Sequence, residues 1–209
     1  MRFWDTIKQV FGNKSHKSEK EQLAELYSAC EQCTKCELAN SRVKVIHGLG
    51  NPSNCKILFI TAKPLNKQEQ NLLVKKLSSQ KIFIDRDYYV TNIVKCYTKT
   101  QISLPDIDAV KACAPILKKE IDIVKPSLIV ALGLETARLL AGNQEPLPSS
   151  LRGKFVTAKP SSPVFQAGTK IFNTFYPAYV IKNPKAMAAF EDDIVKIKSM
   201  YEFEKTRNI

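Results

Sequence analysis

Three cysteines fall within seven residues of one another in ACEQCTKCEL, at Cys30, Cys33 and Cys36. Thiolates spaced this closely suit a metal or an iron–sulfur group, and three of them ask for a fourth ligand. The C-x2-C-x2-C run of bacterial ferredoxins needs a further cysteine and a proline just downstream, and Asn40 stands there instead. The missing ligands must then come from Cys55, Cys96 or Cys113. Cys55 opens an apolar run, where a free thiol commonly serves as a small hydrophobe. Cys96 follows TNIVK and Cys113 sits in the helical pattern after it, so these two form a candidate second half-site. Spacing alone leaves a four-iron cluster and a four-cysteine zinc site both open.

The elements that must position these thiols can be read along the chain. SEKEQLAELYSAC is a helix with Ser18 as its N-cap and Leu23, Leu26 and Tyr27 on one face, and it carries the chain into the cysteine cluster. Beyond the cluster, apolar runs alternate with helical patterns. The strands are CKILFITA, YYVTN, PSLIVALG and KIFNTFYP; the helices are 66–80, 105–124, 134–142 and 184–205. Such alternation predicts a three-layer α/β/α sandwich around a short parallel sheet. A parallel sheet binds its ligands outside the carboxyl ends of its strands. Those ends are TAKPLN, Thr91 and Asn92, Gly133, and FYPAY. Asn92 offers a donor and an acceptor at one spot, and Tyr176 a hydroxyl just before Pro177.

Composition narrows the function. The chain has 209 residues, is 44% hydrophobic and carries 32 Lys and Arg against 20 acids, a formal charge of +12. This is one domain of ordinary size with a basic surface, which points to a polyanionic partner: DNA first, RNA second. No run of eighteen apolar residues provides a membrane span, and the N-terminus has no secretory signal pattern. Together with six cysteines, this places the chain in a reducing compartment, the cytoplasm or the nucleoid. Residues 1–17 form a separate element, an amphipathic helix with Phe3, Trp4, Ile7, Val10 and Phe11 on one stripe, then a basic linker. That helix is a candidate handle for a protein partner. Residues 18–209 make up the main domain.

Several segments, in order, resemble the motifs of family 4 uracil-DNA glycosylases. CTKCELANSRVKVIHGLGNPSNCKILFI is similar to that family's N-terminal signature of C-x2-C, Leu, Arg, Val and G-x-G before the first strand. YYVTNIVKC looks like its second motif and DAVKAC like the helix with its fourth cysteine. KPSLIVALG, LRGKF and YPAYVIKNP continue the match, which covers roughly residues 20–200. The resemblance implies a uracil-DNA glycosylase-like fold and a 4Fe–4S cluster on Cys33, Cys36, Cys96 and Cys113, with Cys30 a neighbour. It also implies DNA repair, with Asn92 and Tyr176 at the reaction centre. Nucleic-acid contacts fall to Lys63, Arg152, Lys154 and Lys182, with Val180 and Ile181 as wedges between bases.

The departures from that family are specific. Its first motif reads Gly-Glu-x-Pro-Gly, and this chain has Thr61-Ala62-Lys63-Pro64-Leu65. The acid and the glycines are gone, the segment bearing a stacking aromatic is deleted, and Tyr176 replaces a His. VTAKPSSPVFQAG is longer than the family pattern. Excision needs a donor at the departing base and a polar group that places water. The first expectation is therefore a non-catalytic relative, or pseudoenzyme, that binds DNA or serves in an assembly. The alternatives are an active glycosylase of altered base choice using Asn92 and Tyr176, and a zinc-stapled basic module. Lys63 is expected on phosphates, with a Schiff-base role on an abasic sugar as its alternative.

Overall fold

A computed structural model describes residues 17–53, 55–99 and 105–207, the last without its side chain. The amphipathic segment expected over residues 1–17 lies almost wholly outside the described residues.

The first helix, α1 (Glu19–Glu31), starts at Ser18, whose hydroxyl accepts from the Glu21 amide while Glu21 returns to the Ser18 amide. This reciprocal cap satisfies two orphan donors and fixes where the helix begins. Two short strands follow, β1 (Lys44–Val45) and β2 (Leu49–Gly50). The core strands are β3 (Ile57–Thr61), β4 (Tyr88–Asn92), β6 (Leu128–Leu132) and β8 (Lys170–Thr174), with β5 (Cys96–Tyr97) and β7 (Phe155–Thr157) short. Between them run α2 (Lys67–Ser79), α3 (Ile107–Val124) and α4 (Leu134–Ala141); α5 (Pro177–Lys182) and α6 (Met187–Arg207) close the chain.

The main sheet has the order β2-β4-β3-β6-β8-β7. Its four inner strands are parallel, and the outer pairs β2–β4 and β7–β8 are antiparallel. The expectation of a parallel sheet between helical layers holds, with two antiparallel edges added. All five residues of β3 are buried, as expected of a strand covered on both faces. Alternation divides its side chains between two cores. Leu58 and Ile60 pack with α1, α3 and α4 residues such as Leu23, Val110 and Leu140. Ile57 and Phe59 pack with Leu73, Val180, Phe190 and Ile194 from α2, α5 and α6. This arrangement gathers the strand ends at 61–66, 92–97, 133 and 174–177 along one edge of the sheet.

Candidate functional site: a thiol cluster beside a strand-end cleft

The thiols come first because they are the most distinctive chemistry. None of the six cysteines forms a disulfide. Cys30 sits in the last turn of α1 with its thiol on the Leu26 carbonyl at 3.1 Å, and the Cys33 amide donates to the Cys30 carbonyl at 3.1 Å. Cys36 leads into a short 3-10 turn, Glu37–Ala39. Cys96 stands on β5, opposite Val45 of β1, and Cys113 is buried on α3.

Arg42 ties the two halves together. Its guanidinium donates to the Cys33 carbonyl at 2.8 Å, the Glu31 carbonyl at 2.6 Å and the Cys96 sulfur at 3.5 Å.

The thiols also act on one another electrostatically. Burial pushes the Cys36 thiol up, the Leu38 amide opposes this, and charge on Cys96 and Cys33 adds to the rise. Cys113 is pushed up to about 11, by burial first, with Cys96 and Cys36 contributing. Cys30 is raised by burial and by Cys33 and Cys96, against a lowering from Lys95. Five thiols, Cys30, Cys33, Cys36, Cys96 and Cys113, thus lie in one another's field. Cys55 stands apart: its thiol donates to the Ile57 carbonyl at 3.0 Å, and burial takes it to about 12. Among the described residues no three His, Cys, Asp or Glu side chains converge closely enough to hold a single metal ion.

Between these thiols and the strand ends lies a buried polar network that the sequence did not announce. Lys95 is 1% exposed and Glu120 is wholly buried, and they form an ion pair. The Lys95 ammonium also donates to Thr91 Oγ1 at 2.6 Å and to the Asn92 carbonyl at 2.8 Å. Glu120 further accepts from Thr91 at 2.8 Å and from the Tyr27 hydroxyl. Tyr27 shares a 2.9 Å bond with Tyr89 and accepts from the Gly48 amide at 3.0 Å. A Cβ on Gly48 would lie 2.2 Å from the Tyr89 ring, so the first glycine of G-x-G is needed for this close approach. Glu120 and Cys113, seven residues apart on α3, share its inward face.

At the strand ends the expected site residues separate. Asn92 is 6% exposed and lines a cleft of about 620 Å³ together with Lys44, His47, Leu65 and Tyr97. Its Nδ2 donates to Thr61 Oγ1, which itself donates to the Lys63 carbonyl at 2.6 Å. Tyr176 is not among the residues lining that cleft. Its hydroxyl donates to Glu69 Oε2 at 3.1 Å, and burial first, then Glu69, pushes it well above the usual phenol range. Glu69 itself is buried and caps α2 by accepting from the Asn66 amide at 2.9 Å. Ala62 is buried, its amide on Thr136 Oγ1 at 3.2 Å, and Leu65 packs into the second core. Asn92 therefore lines this cleft without Tyr176. A groove of about 670 Å³ at the opposite edge of the sheet, lined by Leu128, Phe155 and Phe203 among others, contains none of these groups.

The residues assigned to nucleic acid also sort themselves. Lys154 and Lys182 are exposed, and the Lys63 ammonium sits 5.6 Å over the Tyr176 ring. Arg152 is not a free cation: it donates to the Ala189 carbonyl at 2.9 Å and to buried Asp193 at 2.7 Å. Val180 is fully buried in the second core, because α5 turns that side inward, so it is not available as a wedge. Ile181 is half-buried.

A parallel sheet between helical layers, thiols joined from two distant segments, and Asn92 at a strand end define a class. The chain belongs to the Uracil DNA glycosylase superfamily, whose pattern matches residues 47–197. It is 28% identical over 180 residues to the Type-4 uracil-DNA glycosylase of Saccharolobus solfataricus, covering 80% of this chain and 81% of that one. Against the Type-4 uracil-DNA glycosylase of Thermotoga maritima it is 26% identical over 197 residues, 88% of this chain and 98% of the other. A DNA polymerase of Bacillus phage SP01 is 27% identical over 125 residues, 60% of this chain but 12% of the polymerase. Among the described residues no helix is long and apolar enough to cross a membrane.

Proposed function

We propose that this chain is a nucleic-acid-binding member of the superfamily whose base-reading groups are engaged by its own side chains. One observation carries the reading: Asn92 gives one of its two amide hydrogens to Thr61, a residue standing where the family pattern has glycine. The other reaction-centre group, Tyr176, is committed to Glu69, and the position of the family's acid is a buried alanine. Losing one preorganised donor typically costs about a hundred- to a thousandfold in rate. The engaged Tyr176 hydroxyl, the partly engaged Asn92 amide and the missing acid together predict excision slowed by at least that factor.

Cys33, Cys36, Cys96 and Cys113 would hold a 4Fe–4S cluster. The assignment follows the family motifs, and the Arg42 guanidinium, which reaches both the Cys33 carbonyl and the Cys96 sulfur, supports it by linking the two half-sites. Such a cluster would join the segment after α1 to β5 and α3, a structural role beside the cleft rather than within it. The +12 charge supports DNA as the ligand, and an intracellular setting follows from that chemistry. Similarity to part of a phage DNA polymerase supports a place within a DNA-handling assembly.

A second reading keeps activity with altered base choice. It rests on the cleft of about 620 Å³ that Asn92 still lines. Titrating a uracil-bearing oligonucleotide with the protein at rising salt separates the readings. Binding that weakens steeply with salt, with the oligonucleotide recovered intact, supports the first. Clean excision supports the second, and no binding at low salt removes both.

A further inference from the structure

We infer that Tyr179 is a stacking platform for an unpaired base of single-stranded DNA, an inference that rests on the nucleic-acid reading above. It grows out of the misplaced wedge. The sequence points to Val180 and Ile181 as the residues that probe DNA, yet Val180 is fully buried. Pro177 occupies the first turn of α5, and the side chain that this short helix turns outward is Tyr179, which is 49% exposed.

Tyr179 is not a stray surface ring. It lies on Phe175 with centroids 5.0 Å apart and planes 24° from parallel. The Arg152 guanidinium also lies over the Phe175 ring, 5.1 Å from its centroid. That guanidinium is itself immobilised by Asp193, which is wholly buried and also accepts from Thr174 at 2.8 Å. Guanidinium, Phe175 and Tyr179 thus form one contact cluster, anchored at buried Asp193 and exposed at Tyr179. With one face of Tyr179 laid on Phe175, its exposure belongs to the opposite face and the edges.

A fixed ring with an open face is what a nucleobase needs, because every base has a π-face and stacking needs no sequence-specific donor. The Tyr179 ring loses little entropy on binding because its partners already hold it. Phosphate contacts are at hand. Lys182, exposed, lies one turn on from Tyr179 on the same helix face. Lys63 stands on the neighbouring loop, over Tyr176, whose backbone begins α5. Alternating π-face and ammonium groups fit a single strand, whose bases are free to turn outward. A paired duplex keeps its bases stacked on one another.

The test uses a dye-labelled twelve-nucleotide oligothymidylate and an abasic strand of the same length, read by fluorescence anisotropy against the full-length protein. Tyr179→Ala is expected to raise Kd for the thymidylate about five- to a hundredfold and to leave Kd for the abasic strand nearly unchanged. Tyr179→Phe should bind within about twofold of the parent, since the hydroxyl plays no part. The salt slope should be the same in Tyr179→Ala as in the parent, whereas Lys182→Ala should flatten it by about one. If Tyr179→Ala binds thymidylate as well as the parent does, or penalises both strands equally, the platform is refuted while DNA binding stands. If the parent protein binds neither strand at low salt, the nucleic-acid reading falls and the platform with it.

Discussion

Replacing Lys95 by Met probes the polar network between the thiols and Asn92. The substitution keeps an unbranched apolar stem and removes the ammonium, leaving the Glu120 carboxylate wholly buried without its cation. Unpairing one member of a buried ion pair costs ~3–5 kcal/mol, because the remaining charge keeps its desolvation penalty. Glu120 would still accept from Tyr27 and Thr91, which places the loss near the lower end of that range. For a chain of this length ~3 kcal/mol corresponds to roughly 6–12 °C in Tm. A second substitution isolates the cause. Glu120→Gln on top of Lys95→Met removes the orphaned charge and keeps an acceptor for both hydroxyls, so it should restore at least ~2 kcal/mol. Urea unfolding of anaerobically purified proteins with matched iron content measures all three. If Lys95→Met costs under ~1 kcal/mol, or the double variant is no more stable than the single, the network is not the electrostatic unit described here.

The thiols provide another prediction: Cys96→Ala and Cys113→Ala should each lose bound iron and acid-labile sulfide, while Cys55→Ala keeps both, as elemental analysis would show. Val180→Ala should destabilise the fold by ~1–3 kcal/mol in urea unfolding yet leave oligonucleotide Kd unchanged, because Val180 packs the core. Asp87 supplies a pH dependence. Burial would raise its carboxyl, but hydrogen bonds from Arg86, Tyr201 and the Phe83 amide outweigh burial and hold it below its ordinary 3.8. A carboxyl lower in the folded state stabilises above its unfolded pKa and loses that stabilisation as pH falls through the folded one. Asp87→Asn should therefore be less stable than the parent at pH 7, with the gap closing below about pH 4 in thermal melts.

Much of this architecture was legible because its signals are long. Ile57–Thr61 and Leu128–Leu132 are unbroken apolar runs, which only a doubly covered strand or a buried helix produces, and the flanking helices decide between them. The sequence sets Cys96 and Cys113 around one turn, and the family motifs pair them with Cys33 and Cys36; the proposed cluster keeps that assignment. The edges β2 and β7 were not, since two or three residues cannot display a period. Helix α5 hid for the same reason, and with it the direction of Val180 and Tyr179. Nothing local in the sequence marks Lys95 and Glu120 as buried, since most such residues lie on the surface, and only the tertiary packing pairs them in the core. The bond from Asn92 to Thr61 crosses thirty-one positions of sequence, and no local pattern announces it.

Single-turnover excision is the most direct measurement. Excess protein is incubated for hours with a single-stranded oligonucleotide carrying one uracil, and abasic sites are then cleaved with alkali. With Asn92 and Tyr176 engaged by Thr61 and Glu69, the strand should stay full-length even though anisotropy shows it bound. Product that accumulates with the parent protein and disappears with Asn92→Ala would contradict this reading outright.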